Sequence, residues 1–210
     1  MLKDFTITRD YVNEQTVSSK VLEQDGRIGY IYISKFSENT DEAFTEQLNE
    51  LIDQGIQSVI IDLRYNGGGS VDAACNIAAL MVPEGPIVKI VDNKGNSNVI
   101  KSPGAQLKAP VAVLVNGYSA SASEILSGAL QDTKAATLIG TTTYGKGIVQ
   151  TVYFLPDGTG IKLTEAKYLT PNDHDINKKG ITPDIIVEAN DKTDVQLDTA
   201  IEYLQACMGR

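Results

Sequence analysis

Residues 58–81, "SVIIDLRYNGGGSVDAACNIAALM", hold three elements in a single run. "SVIIDL" (58–63) is short, β-branched and nearly all apolar, which suits a strand covered on both faces. Three consecutive glycines in "RYNGGGS" then interrupt the chain, and from 71 to about 81 the apolar residues fall at helical spacing. A buried strand, a glycine turn and a helix make up the repeating unit of an α/β fold, with helices packed on a sheet.

The same rhythm extends in both directions. Upstream, "RIGYIYI" (27–33) alternates as a strand, with Ile28, Tyr30 and Tyr32 on one face and Gly29, Ile31 and Ile33 on the other. "TDEAFTEQLNELIDQG" (40–55) places Phe44, Leu48, Leu51 and Ile52 on one helical stripe and stops naturally at Gly55. Downstream, "GPIVKIVDNKGNSNVIK" reads as two strands around a turn at Lys94–Gly95. "APVAVLV" (109–115) is a second buried strand, followed by the helix "SASEILSGALQD". "ATLIG", "GIVQTVYFL", a "PDGT" turn and "GIKLTEAKYL" supply further strands, and "DVQLDTAIEYLQA" closes the chain as a helix. Residues 1–26 fit less well and are expected to form an added strand pair or the remnant of a junction with a missing neighbour. Residues 27–210 form the core domain.

A chain of 210 residues is long enough for one substantial core. No apolar run approaches the ~18 residues of a membrane span, and the opening "MLKDFTITRD" lacks a signal-peptide core. A net charge of −9 argues against nucleic acid or an anionic membrane as the main partner. Two cysteines, Cys75 and Cys207, make no disulfide framework. Without a CxxC and with one histidine, a thiolate or imidazole metal site is not expected. Cys75 reads as a small core residue of the 71–81 helix.

Three places carry candidate chemistry. In "NGYSASASEI" (116–125), Ser121 and Glu124 have capping-box spacing, so a helix start accounts for the stretch. The other reading has a serine at a strand-to-helix turn, where the helix N-terminus favours negative charge on a substrate oxygen. Spacing does not choose among Ser119, Ser121 and Ser123. A serine needs a base. His174, in "TPNDHDINKKG", sits among turn formers and is expected in an exposed loop. Lys146 stands between glycines in "TTTYGKGIVQ" and is either a surface lysine or, if kept from water, a general base. Gln150 lies four residues on and would share its face in a strand. The glycines of "DLRYNGGGS" are either a flexible turn or a backbone N–H aimed at an oxyanion, with Asp62 and Arg64 as a possible ion pair. A phosphate-loop reading fails for want of the Lys-Ser/Thr ending.

Taken together and in this order, "IGYIYISKF", "DLRYNGGG", "VLVNGYSASASEILSGALQD", "IGTTTYGKGIVQ", "LPDGTGIKLTEAKYLTP" and "KKGITPDI" resemble the C-terminal processing, or tail-specific, serine peptidase family over roughly residues 27–188. The serine–glutamate block and the G-K-G-x-V-Q block, 25 residues apart from Ser121 to Lys146, are specific only as a pair. The resemblance implies a crotonase-like (ClpP/crotonase) α/β core with a helical C-terminal segment. It also implies a serine endopeptidase acting on polypeptides, often near their C-termini. Ser121 would be the nucleophile, Lys146 the general base and Gln150 its partner, with the backbone N–H groups of Ala122 and Gly68 as the oxyanion hole. No cofactor or metal is implied, an extracytoplasmic location is, and oligomeric state is left open. Two departures stand out: the family usually has Pro where Gly67 stands, and no PDZ-like segment is visible. A catalytically silent binding module of the same fold, or an acyl-CoA enzyme of the crotonase type, is the alternative. The intact Ser121, Lys146 and Gln150 set disfavours the first, and the second leaves Lys146 and Gln150 without a role.

Overall fold

The computed structural model describes residues 14–104 and 107–209. Its first sheet runs β1 (Val17–Val21), β2 (Ile28–Ile33), β3 (Ser58–Asp62), β6 (Val111–Val115), β7 (Thr137–Gly140) and β10 (Ile185–Ile186) in spatial order. β1 pairs antiparallel with β2, and the remaining neighbours are parallel. Every residue of β3 and β6 is buried, as near-continuous apolar strands require.

Alternation along these strands sends side chains to two separate cores. Ile31, Ile33, Val59, Ile61, Val113 and Val115 pack with residues of α1 (Thr40–Asp53), α2 (Val71–Ala79) and α3 (Ala122–Asp132), among them Phe44, Leu48, Ile77 and Leu126. Ile28, Ile60, Ala112, Leu114 and Ile139 meet Ala200, Ile201 and Leu204 of α4 (Val195–Met208). The Val, Leu, Ile and Phe side chains among these contribute roughly 1.5–3 kcal/mol each when fully buried, so most of the apolar stabilisation is gathered on the parallel sheet. A second, antiparallel sheet has the order β5 (Ser97–Ser102), β4 (Gly85–Asp92), β9 (Gly160–Leu169), β8 (Ile148–Phe154). It joins the larger core through Ile87, Val88 and Tyr168.

The helix bounds follow local chemistry. Ser70 caps α2, its hydroxyl accepting from Ala73 N–H at 3.2 Å. Gly55, at φ 87°, turns the chain after α1. Three differences from the sequence reading emerge. Ile52 is 45% exposed and lies off the buried stripe, because Phe44, Leu48 and Leu51 already fill the width that α1 presents to the sheet. α2 stops at Ala79, with Leu80 as its cap. β10 has only two residues, too few to show a period in sequence. Of the segment 1–26, residues 1–13 lie outside the described residues, and β1 is an edge strand of the main sheet.

β3, β6 and β7 end at the same edge, the carboxyl edge of the parallel strands, where open α/β sheets place their ligand sites. The loops that leave it are stitched together. Ala120 N–H donates to Asn66 O at 3.0 Å, and Tyr144 N–H to Ser119 O at 3.0 Å. Among the described residues no helix is long and apolar enough to cross a membrane.

Candidate active site

The three serines separate by what their hydroxyls do. Ser119 is fully buried, its hydroxyl donating to Leu63 O at 2.8 Å and accepting from Asn116 N–H at 3.0 Å. Ser123 is also fully buried and donates to Asn66 O at 2.9 Å. Both fasten the loop after β6 to the glycine loop after β3. The Ser121 hydroxyl donates to no group among the described residues, and the side chain is half-buried. Its backbone sits at φ 58°, ψ −115°, a conformation uncommon outside glycine. Strain of this kind persists where the surroundings over-determine it, and it clusters at active sites.

Glu124 is what over-determines it. The capping box read from sequence is present, with Ser121 N–H donating to Glu124 Oε2 at 2.9 Å. The same oxygen accepts from Lys146 N–H at 2.8 Å. Oε1 accepts from Gly145 N–H at 2.7 Å and from the Thr143 hydroxyl at 2.6 Å. The carboxylate is wholly buried, which would be costly for an uncompensated charge. Four donors and the N-terminal turn of α3 supply the compensation. One carboxylate therefore holds the backbone of Ser121 and that of Lys146 together.

The glycines around Lys146 are there for packing. A methyl group on Gly145, at φ 87°, would lie 2.9 Å from Gly180 N, and one on Gly147 would lie 2.7 Å from Asn177 N. The close backbone approach that these glycines permit is made by the 176–180 loop. The lysine is not buried: the Lys146 side chain is exposed, and its amine makes no hydrogen bond or ion pair among the described residues. Gln150 is exposed as well and donates to Thr164 Oγ1 at 3.3 Å, away from Lys146. The backbone of the lysine is fixed by Glu124 while its four-carbon stem is exposed, so the arrangement expected from sequence is not assembled here.

Gly68 packs directly on the serine: a methyl there would stand 2.7 Å from Ala120 O, 2.8 Å from Ser121 Cβ and 3.0 Å from Ala122 N. Its φ of 101° is one that only glycine takes without strain. Its N–H, however, donates to Asn66 Oδ1 at 2.9 Å, so this donor is engaged. Asn66 is fully buried and also donates to Ile33 O at 2.8 Å, anchoring the loop to β2. Ala122 N–H has no acceptor among the described residues.

Asp62 and Arg64 form the expected ion pair, at 2.7 Å, and Arg64 also pairs with Asp194, the N-cap of α4, at 2.7 Å. Burial works to lower the Arg64 pKa, but the bonds to Asp194 and Asp62 outweigh it and raise the value overall. Asp62 further accepts from Tyr30 OH at 2.6 Å. His174 is 69% exposed and 3.3 Å from Asp132, in a different part of the surface. Cys75 is buried, and its thiol is pushed up to about 12 by that burial and by Asp72. Among the described residues no group of three or more His, Cys, Asp or Glu side chains is placed to hold a metal ion. Glu124 as a clamp, Thr143, Asn66, Asn116 and Asp194 were not singled out from sequence. Only Glu124 left a signal there, its position three after Ser121.

Residues 27–187 match the family model described as Peptidase family S41. The chain is 41% identical over 215 residues to a protein named carboxyl-terminal-processing protease from Synechocystis sp., covering 96% of this chain and 50% of the relative. It is 38% identical over 190 residues to carboxy-terminal processing protease CtpA of Bacillus subtilis, covering 90% and 40%. Among solved structures, the photosystem II D1 C-terminal processing protease superposes with a TM-score of 0.76 at 37% identity, over 84% of this chain and 49% of that one. The chain thus spans about half the length, or less, of these relatives.

Proposed function

The chain belongs to peptidase family S41, and on that premise we propose that it is the core of a serine endopeptidase that cuts polypeptides, near their C-termini as its relatives' names indicate. The observation that carries the reading is the shared Glu124 oxygen, 2.9 Å from Ser121 N and 2.8 Å from Lys146 N. It brings the residue whose hydroxyl proton is uncommitted beside the residue with an uncommitted amine. The repeated strand–helix units support a crotonase-like description of the core.

In the reaction, neutral Lys146 takes the proton from Ser121 Oγ as that oxygen attacks the peptide carbonyl carbon. Ala122 N–H and Gly68 N–H hold the resulting oxyanion. A charge-assisted bond is roughly twice as strong as a neutral one, so the oxyanion competes favourably with Asn66 Oδ1 for the Gly68 donor. Collapse expels the amine, which Lys146 protonates, and water hydrolyses the acyl-enzyme by the reverse proton path. In the free protein the lysine is wet. A polypeptide laid across the cleft and along β8 strips that water, disfavours the ammonium, and leaves Gln150 free to reorient toward the amine. Substrate thereby completes the site.

Ser121→Ala and Lys146→Ala should each lower cleavage of an unfolded test protein by on the order of 10⁴-fold. Circular dichroism and urea midpoints should hardly change. Substantial cleavage by either variant would remove the pair from the mechanism.

A further inference from the structure

Tyr65 and Tyr118 stack on one another, ring centroids 5.4 Å apart and planes 25° from parallel. Each nevertheless remains 66% exposed, so the contact does not serve to fill the core. Tyr65 holds φ at 63°, a left-handed conformation that costs a non-glycine residue roughly 1–2 kcal/mol. One side chain fixes both rings' backbones: Asn116 Oδ1 accepts from Tyr65 N–H at 3.1 Å and from Tyr118 N–H at 3.0 Å.

Their place is informative. Tyr65 precedes Gly68 by three residues and Tyr118 precedes Ser121 by three, so each ring stands on a loop that supplies part of the proposed catalytic centre. Both also wall an open cavity of about 760 Å³ at the carboxyl edge of the parallel sheet, whose other lining is largely polar, Arg64, Asn116, Asp191 and Lys192 among it, so the two rings are its main apolar surface. A cavity of that size falls within the range of ligand sites. The outer faces of two stacked rings accept a third planar or apolar group. A polypeptide bound at Ser121 and Gly68 therefore runs beside the two loops that carry these rings.

We propose that Tyr65 and Tyr118 form a specificity subsite that seats one aromatic or large aliphatic side chain of the substrate polypeptide close to the bond to be cut. This rests on the peptidase reading and adds to it the substrate feature that is recognised.

The test is a set of otherwise identical peptides carrying Phe, Leu, Ala or Arg at each position around the cleavage site, with kcat/KM measured for each. At one position the wild-type chain should favour Phe and Leu over Ala by about tenfold or more. Tyr65→Ala and Tyr118→Ala should bring that ratio close to one, and Tyr118→Phe should keep it. A merely structural role for the tyrosines would lower all peptides together and leave the ratio intact, which would overturn the proposal. A preference for Arg at that position would overturn it too. Labelling of wild-type Ser121 by a fluorophosphonate probe tests the underlying reading separately. Binding of the Phe and Ala peptides to Ser121→Ala, with and without Tyr65→Ala, reads the subsite when no bond is cut.

Discussion

Glu124 does two jobs, of which a sequence reveals one. Its position three after Ser121 announces a helix cap, and the cap is present. Its bonds to Gly145 and Lys146 depend on a loop more than 20 residues away being folded over it, and nothing local signals that. A carboxamide at this position keeps one accepting oxygen and turns an NH₂ group toward donors that the carboxylate satisfied. Each buried donor left unpaired costs about 1–3 kcal/mol. Glu124→Gln should therefore lose about 2–5 kcal/mol in urea unfolding. Where the variant is still folded, Ser121 labelling by a serine-reactive probe should fall at least tenfold, because the Ser121 backbone is no longer held in its strained conformation. Wild-type stability and labelling together would show that the clamp is dispensable. Legibility was poorest for long side chains: sequence spacing offered Lys146 as a surface lysine or a shielded base but had no means of fixing where four methylenes point.

At the scale of elements, the apolar runs were decisive. β3 and β6 read as short, β-branched, nearly all-apolar runs, and both lie buried at the centre of the sheet. What the pattern did not convey was how α4 is tied to the loop after β3. That tie is Asp194, which caps Leu197 N–H at 3.1 Å and holds Arg64. Its carboxyl is held below the ordinary Asp value, first by the hydrogen bond to Arg64 and, against burial, by Leu197 N–H. A depressed folded-state pKa contributes stability above the unfolded value of about 3.9, and that contribution is lost as the pH falls through the lower folded value. The Asp194 side chain is 42% exposed, so solvent screening keeps the contribution modest. The difference in urea midpoint between wild type and Asp194→Asn should be level above about pH 5 and shrink steadily below about pH 4. A difference that holds unchanged to pH 2 would mean that Asp194 acts through shape and not through charge.

Across the whole molecule, packing is uneven, and the unevenness falls where substrate is proposed to lie. The parallel sheet is closed on both faces, whereas the β8–β9 hairpin extends past its support. Register fixes its two faces: Thr151 opposite Leu163 and Tyr153 opposite Ile161 on one, Val152 opposite Lys162 and Phe154 opposite Gly160 on the other. Val152, Tyr153, Phe154, Ile161 and Leu163 are all at least 44% exposed, Phe154 reaching 84%. β8 is also the last strand of its sheet, with an edge open to pairing. Glu165, which accepts from Thr151 Oγ1 at 2.5 Å and from Tyr153 OH, is the chief polar tie along the hairpin. Segments with so little buried area open locally at a free energy far below that of global unfolding. Hydrogen exchange should therefore be fast at residues 152–163 and slow at 59–62 and 111–115, with protection spanning orders of magnitude. Adding a peptide to Ser121→Ala should slow exchange along β8, since a strand laid on its edge takes up the free N–H and C=O groups. Strong protection of the hairpin in the free chain, growing with protein concentration, would mean instead that a second copy already occupies that edge.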